Sequence, residues 1–170
     1  MILYIIRHAI AEQAGTHGNA KDDSQRQLTD EGWKKMRKIA RGLKELEVQI
    51  DLVLTSPYLR AAQTAKILAK KFDLPKDKVI STDNLAPSGY PDHLVDEINA
   101  NYGEVENLAL VGHEPSVGNL ISMLVSGDPT NSITLKKGGV CRLSLEHLQY
   151  GRCAALDWLL SPSQLVEIGG

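Results

Sequence analysis

The chain has 170 residues, 42% hydrophobic and 24% charged, with a formal net charge of −2. That length suits a single domain over residues 1–170 with a substantial core, and the weakly acidic balance gives no global field for nucleic acid or an anionic membrane. No apolar run approaches the roughly 20 residues that cross a bilayer, "MILYII" lacks a basic n-region, and Cys141 and Cys153, without CxxC spacing, read as buried free thiols of a cytoplasmic protein.

In chain order, "ILYII" (residues 2–6) has the continuous apolar character of a strand covered on both faces, and it runs without a turn residue into Arg7 and His8. Residues 9–28 are mostly polar, a loop long enough to be functional or mobile. A helix is expected after Thr29, a good N-cap, with Asp30 and Glu31 in its first turn; Trp33, Met36, Ala40, Leu43 and Glu47 step by three and four residues, and four of these five form an apolar stripe.

"DLVLTS" (residues 51–56) reads as a second buried strand. Ser56-Pro57 then reads as a helix start, a capping serine before a first-turn proline. Tyr58, Ala61, Ala62, Ala65, Leu68, Ala69 and Phe72 keep helical spacing until Pro75. "KVIST" is a short third strand, "SGYPDHLVDEINANYG" a turn and helix, "NLALVGH" (residues 107–113) a fourth strand, and Pro115 opens a helix to about Ser126. "GGVCRLSLE" and "RCAALDWLL" alternate like paired strands on either side of "HLQYG". The pattern predicts an α/β three-layer sandwich with a mainly parallel central sheet, helices on both faces and a C-terminal antiparallel hairpin.

In such sheets ligands collect outside the carboxyl ends of the strands. The first strand ends in Arg7-His8. The second runs into "TSPYLRAAQT", with Arg60 in the first turn of the next helix, and the fourth runs into "GHEPS", with His113 just past its end. Taken singly, each has an ordinary explanation: a surface cation, a helix cap, a core histidine. If the three strands are neighbours, two guanidinium groups and two imidazoles meet near helix N-termini, where unpaired N–H groups also favour anions. The expected pocket holds a phosphoryl group.

Together these motifs resemble the histidine phosphatase (phosphoglycerate-mutase-like) superfamily. "RHA" at Arg7, His8 and Ala9 stands where the family has Arg-His-Gly. "SPYLRAAQT" supplies Ser56, Arg60, Ala61 and Thr64, and "RQLTDEG" matches the Leu-Thr-x-x-Gly helix entry at Leu28, Thr29 and Gly32. Gly112-His113 is the third signature. Within the superfamily the chain is most similar to the small SixA-type phosphohistidine phosphatases, through its short length, "SPYLRAAQT", "LAPSG" and the terminal hairpin. The resemblance implies that His8 is a nucleophile, transiently phosphorylated, and that Arg7, Arg60 and His113 bind the phosphoryl oxygens. Arg26, beside the helix entry, is a further candidate for the pocket, although a solvated loop arginine explains it equally well. The implied substrate is a phosphohistidine-bearing protein such as a phosphotransfer domain, with no cofactor.

The chemistry agrees with that reading. Phosphoryl transfer needs positioning and charge stabilisation, which Arg7 and Arg60 supply. His8 must be neutral to attack, and neighbouring cations lower its pKa; a backbone carbonyl is expected to hold its other ring proton. Ala9 replaces the family glycine, and "DNLAPSG" carries no acid where many relatives have one. An imidazole leaves readily, since its conjugate acid titrates near ~6.5, whereas an alkoxide needs a proton; a preference for N–P bonds follows. Asp83 and Glu114 are the two remaining proton-donor candidates, with surface or capping roles the simpler reading. His17, His93 and His147 lack metal-ligand spacing and are expected at the surface, and "GHEPS" lacks the second histidine of HExxH, so no metal is expected. The alternatives are a phosphatase for small phosphorylated metabolites and a non-catalytic phosphate-binding module.

Overall fold

A computed structural model describes residues 1–13 and 22–170. In chain order its elements are β1 (Ile2–Arg7), α1 (Asp30–Glu45), β2 (Leu52–Thr55), α2 (Leu59–Lys71), β3 (Val79–Ser81), α3 (Pro91–Asn101), β4 (Asn107–Gly112), α4 (Ser116–Ser126), β5 (Val140–Ser144), β6 (Ala155–Leu160) and α5 (Pro162–Ile168). The strands form one sheet in the order β3-β2-β4-β1-β5-β6. The first four pair in parallel and the last two are antiparallel additions at one edge.

Alternation along the strands explains the layers. Tyr4, Ile6, Val53, Ala109 and Val111 share one apolar cluster with Met36, Leu43, Ala65, Leu68 and Leu165, from α1, α2 and α5. Leu3, Ile5, Leu54, Leu108 and Leu110 share the other with Leu94, Ile98, Ile121 and Leu124, from α3 and α4. Both sheet faces are therefore covered, as the uninterrupted apolar runs require, and each fully buried Leu or Ile contributes about 1.5–3 kcal/mol. The α/β three-layer architecture is the one the sequence predicts.

Several local expectations are corrected. The Thr29 hydroxyl does cap α1, accepting the Gly32 N–H at 2.9 Å. The helix ends at Glu45, however, so Glu47, an exposed turn residue with φ of 55°, does not continue the helical spacing. Ser56 does not cap a helix beginning at Pro57. The helix begins at Leu59 without a side-chain cap, and the Ser56 hydroxyl instead accepts the Tyr58 N–H at 3.2 Å. The connection in the C-terminal hairpin runs from residue 145 to 154, longer than "HLQYG". Both cysteines are free, but only Cys141 is buried; Cys153 is partly exposed.

The sequence reading did not foresee α5. Ser161 and Gln164 close it with a reciprocal capping box, and Pro162 occupies the first turn. Gly42 lets this helix approach α1 closely, since a Cβ there would lie 2.0 Å from the Leu165 carbonyl oxygen.

Candidate active site

The sheet order puts β4 between β2 and β1, so the three strand ends carrying the motifs are neighbours. Their register is level, with Arg7 opposite Gly112 and Thr55 opposite Val111. The ladder continues one residue further on each side. The His8 N–H donates to the Gly112 carbonyl at 3.0 Å, and the Ser56 N–H to that of Val111, also at 3.0 Å. From the other side the Gly138 N–H is shared between the carbonyls of Arg7 and His8, at 3.1 and 3.2 Å. Gly138 has φ of 83°, the left-handed conformation for which glycine carries little cost. The backbone of Arg7 and His8 is thus held from both sides, by β4 and by the turn that leads into β5.

The four basic residues converge. The rings of His8 and His113 lie 5.0 Å apart, and Arg60 Nε donates to His8 Nε2 at 3.3 Å. Arg7 Nη1 donates to the Leu135 carbonyl at 2.8 Å. Tyr58 sets its edge against the His113 ring at 5.3 Å and lies under the Arg60 guanidinium at 5.1 Å, so α2 contributes a wall as well as a cation. His8, Arg60 and His113 are only 5%, 3% and 3% exposed.

Hydrogen bonds fix the state of each group. His8 Nδ1 lies 2.8 Å from the carbonyl oxygen of Ala9, which can only accept, so the proton sits on Nδ1 and Nε2 carries the lone pair. Ala9, the departure from the family glycine, therefore takes a direct part through its backbone. Its N–H donates to Thr64 Oγ1 at 3.0 Å, and the same hydroxyl donates to the Arg60 carbonyl at 2.7 Å. His113 Nε2 lies 2.8 Å from Ser56 Oγ. Two buried nitrogens have no partner among the described residues, Arg7 Nε and His113 Nδ1. A buried polar atom left in that condition costs about 1–3 kcal/mol, and such atoms are the ones a bound anion would satisfy.

Burial, reinforced by the surrounding cations, keeps both imidazoles neutral. It lowers the His8 pKa from 6.5 to about 3, with His113, Arg60 and Arg7 pushing the same way against the Ala9 hydrogen bond. Burial likewise lowers that of His113 to about 4, assisted chiefly by Arg60 and opposed by Asp23. A neutral imidazole whose Nε2 carries a lone pair, here accepting from Arg60 Nε, is the state a histidine nucleophile needs.

Sequence reasoning missed Asp23. Its carboxylate accepts from Arg60 Nη2 at 2.9 Å, and its backbone carbonyl from Nη1 at 2.7 Å, so it fills the guanidinium fork. Arg26 Nε donates to the other carboxylate oxygen at 2.7 Å and Arg26 Nη1 to the Glu12 carbonyl at 3.0 Å. Arg26 therefore meets the site through Asp23. Partial burial raises the Asp23 pKa, but the hydrogen bonds and charges of Arg60 and Arg26 outweigh it, and the carboxyl is held below its usual range. Asp23 belongs to a short 3-10 turn with no periodic pattern. The available signal was its spacing from Arg26 and the need of two clustered arginines for a counter-charge.

Glu114 and Asp83 are employed elsewhere. Glu114 Oε1 accepts the Leu135 N–H at 2.6 Å, bracing the residue whose carbonyl holds Arg7. Asp83 is exposed in a 3-10 turn, where its carbonyl accepts the Ala86 N–H at 3.0 Å. Residues 11 and 28 form a bridge that ties the two described ends of the loop together. The expected surface position of His17 and the course of the loop between them fall on residues 14–21, outside the described residues; His93 and His147 are exposed.

Comparison with known proteins agrees with this geometry. The "Histidine phosphatase superfamily (branch 1)" matches residues 3–86. The phosphohistidine phosphatase SixA of Escherichia coli strain K12 is 30% identical over 97% of this chain and 96% of its own. An uncharacterised protein of Picosynechococcus is 33% identical over 84% of each chain. A solved structure of the protein histidine phosphatase SixA complexed with tungstate superposes with a TM-score of 0.81, at 29% identity, over 97% of this chain and 99% of that one. A superposable fold, a matching family signature and relatives aligned nearly end to end lead to one assignment: the chain is a phosphatase and belongs to the histidine phosphatase superfamily.

Proposed function

We propose that residues 1–170 act as one phosphohistidine phosphatase unit that removes the phosphoryl group from a histidine on another protein, through a phosphorylated His8. The observation that carries this reading is the state of His8: its proton is committed to the Ala9 carbonyl, and its Nε2 lone pair meets Arg60 Nε beside the His113 ring. The likeness to SixA, over nearly the whole of both chains, supports the substrate class. A phosphorelay component would be met in the cytoplasm. Among the described residues no helix is long and apolar enough to cross a membrane.

In the first step His8 Nε2 attacks phosphorus in line, and the electron pair of the substrate N–P bond departs with the imidazole. With a proton on its second ring nitrogen, that imidazole leaves as neutral histidine. In the second step water attacks the phosphoryl group on His8, the new N–P bond breaks, inorganic phosphate forms and His8 Nε2 regains its lone pair. Both steps spread negative charge over the equatorial oxygens, which Arg7 and Arg60 stabilise electrostatically. The phosphoryl oxygens compete with Asp23 for the Arg60 fork. Ser56 Oγ accepts from Tyr58 and can donate to His113 Nε2; in that tautomer the His113 proton sits on Nδ1, which has no partner among the described residues, as a third donor to the anion.

None of Asp23, Asp83 and Glu114 is poised as an acid for a leaving alkoxide. Glu114 is tied to Leu135, Asp83 is exposed, and Asp23 is held ionised by two arginines. That shortage favours the N–P bond, whose leaving group needs no such acid. Trapping of labelled phosphoenzyme tests the reading. Wild type is expected to acquire acid-labile label from phosphohistidine, and His8→Ala to acquire none while turnover falls by at least about 10⁴-fold. Faster hydrolysis of alkyl monoesters than of phosphohistidine would instead identify a phosphatase for small metabolites. Anion binding without any labelling would identify a binding module.

A further inference from the structure

Helices α1 and α2 leave between them a groove of about 470 Å³, lined by Trp33, Arg37 and Ala40 from one side and Lys66, Ile67 and Lys70 from the other. Ala40 and Ile67 are buried and Trp33 partly so, making an apolar trough, while Arg37, Lys66 and Lys70 are exposed along its rim. The Arg37 guanidinium lies 5.7 Å from the Trp33 ring centre. Among the described residues no carboxylate forms an ion pair with these rim cations. The imbalance begins in the sequence, since α2 reads LRAAQTAKILAKK, basic residues with no Asp or Glu, in a chain whose net charge is −2. An apolar trough edged by charge of one sign has the anatomy of a docking surface more than that of a solvated face.

Both helices that line the groove lead back to the active site. Gln63, one turn beyond Arg60 on α2, accepts the Leu28 N–H at 2.7 Å through its side chain. Ile67 is the next turn of the same helix, and Trp33 follows one turn after the Thr29 cap. A body lying in the groove would thus be held beside the residues that place Arg60.

We propose that this groove docks an acidic, amphipathic helix of the phosphohistidine-bearing substrate protein, so that α1 and α2 select the protein while the strand ends perform the chemistry. The inference rests on the phosphohistidine reading above. A helix lying between two helices inserts apolar anchors at i and i+3 or i+4 spacing, here against Trp33 and Ile67, and its flanking carboxylates meet Arg37, Lys66 and Lys70. Nucleic acid and anionic membrane would use the rim charges but leave the trough empty, and the net negative charge opposes both.

Two measurements test it. In the first, hydrolysis of a histidine-phosphorylated phosphotransfer domain with an acidic surface is compared with that of free phosphohistidine. The double variant Lys66→Glu/Lys70→Glu is expected to lose about tenfold or more in kcat/KM for the protein, chiefly through KM, with free phosphohistidine unchanged. Equal losses on both substrates, or no loss on either, would overturn the proposal. The second needs no turnover. In a Trp158→Phe background Trp33 is the sole tryptophan, and titration with the unphosphorylated domain is expected to shift its emission in a salt-sensitive manner. Such binding without any hydrolysis of phosphohistidine would sink the substrate reading and leave the groove standing. An emission change with vesicles of anionic phospholipid or with RNA, and none with the domain, would overturn the groove proposal alone.

Discussion

Arginine is used in opposite ways at the two ends of this sheet. On the antiparallel edge, Arg142 of β5 pairs with Asp157 of β6, which also accepts the Ser144 hydroxyl at 2.9 Å, in a partly exposed and fully compensated cluster. At the carboxyl ends of β1, β2 and β4, Arg60 is 3% exposed beside two nearly buried imidazoles, and its one carboxylate partner comes from a loop. There Arg7 Nε and His113 Nδ1 lack partners among the described residues. An exposed pair adds little to stability, and a buried cation with incomplete hydrogen bonds subtracts from it. The contrast teaches that the strand ends keep unfilled binding capacity where the edge keeps none.

Substitutions can break or sharpen that contrast. After His8→Ala, the largest effect is expected from Arg60→Ala, which removes three donors to the site and should cut turnover by about 10²–10³-fold with little change in the circular dichroism spectrum. Normal turnover would mean that Arg60 only braces the loop at Asp23.

Acid sensitivity comes next in size. His8 and His113 titrate near 6.5 when unfolded, but at about 3 and about 4 in the native protein. Across that window the unfolded chain binds protons that the native chain does not, so the stability due to neutral burial is fully present above pH 6.5 and is lost as pH falls towards the native values. Thermal melts should show Tm declining on acidification from pH 6.5. His113→Gln should flatten part of that slope, whereas Arg142→Gln, on the edge, should leave it unchanged. An equally steep decline in the His113 variant would contradict the assigned burial.

Asp23→Asn should act in the opposite sense to Arg60→Ala. It takes a negative charge away from the fork, so tungstate or inorganic phosphate should bind more tightly, by roughly tenfold or less, as read by calorimetry. Weaker binding would show that Asp23 orients Arg60 more than it competes for it. The smallest effect belongs to Asp157→Asn on the edge, expected to cost about 1 kcal/mol or less in denaturant unfolding and nothing in turnover.

How much of this was legible beforehand depended on whether the signal was local. β1, β2 and β4 announced themselves as short continuous apolar runs, and the Thr29 cap was plain because Asp30, Glu31 and a helical stripe follow it. His8, Arg60 and His113 could be placed because strand ends in such sheets point to a common edge. What escaped was set by partners distant in sequence. The Leu135 carbonyl that holds Arg7 lies 128 positions away, and Asp23 meets Arg60 across 37. Ser56 looked like a cap because serine before proline usually is one, yet its hydroxyl is drawn to His113 by the pairing of β2 with β4. α5 was overlooked because its seven residues are too few for a period to show, although Ser161, Pro162 and Gln164 spelled out its start.

The Thr64 hydroxyl has a consequence of its own. With a single hydrogen it joins the backbone amide after His8 to the backbone carbonyl of Arg60, so the spacing between these two residues is tied by one oxygen and not by loop closure. The enzyme would meet each substrate with that spacing already built, a rigid gauge whose length no incoming protein can adjust.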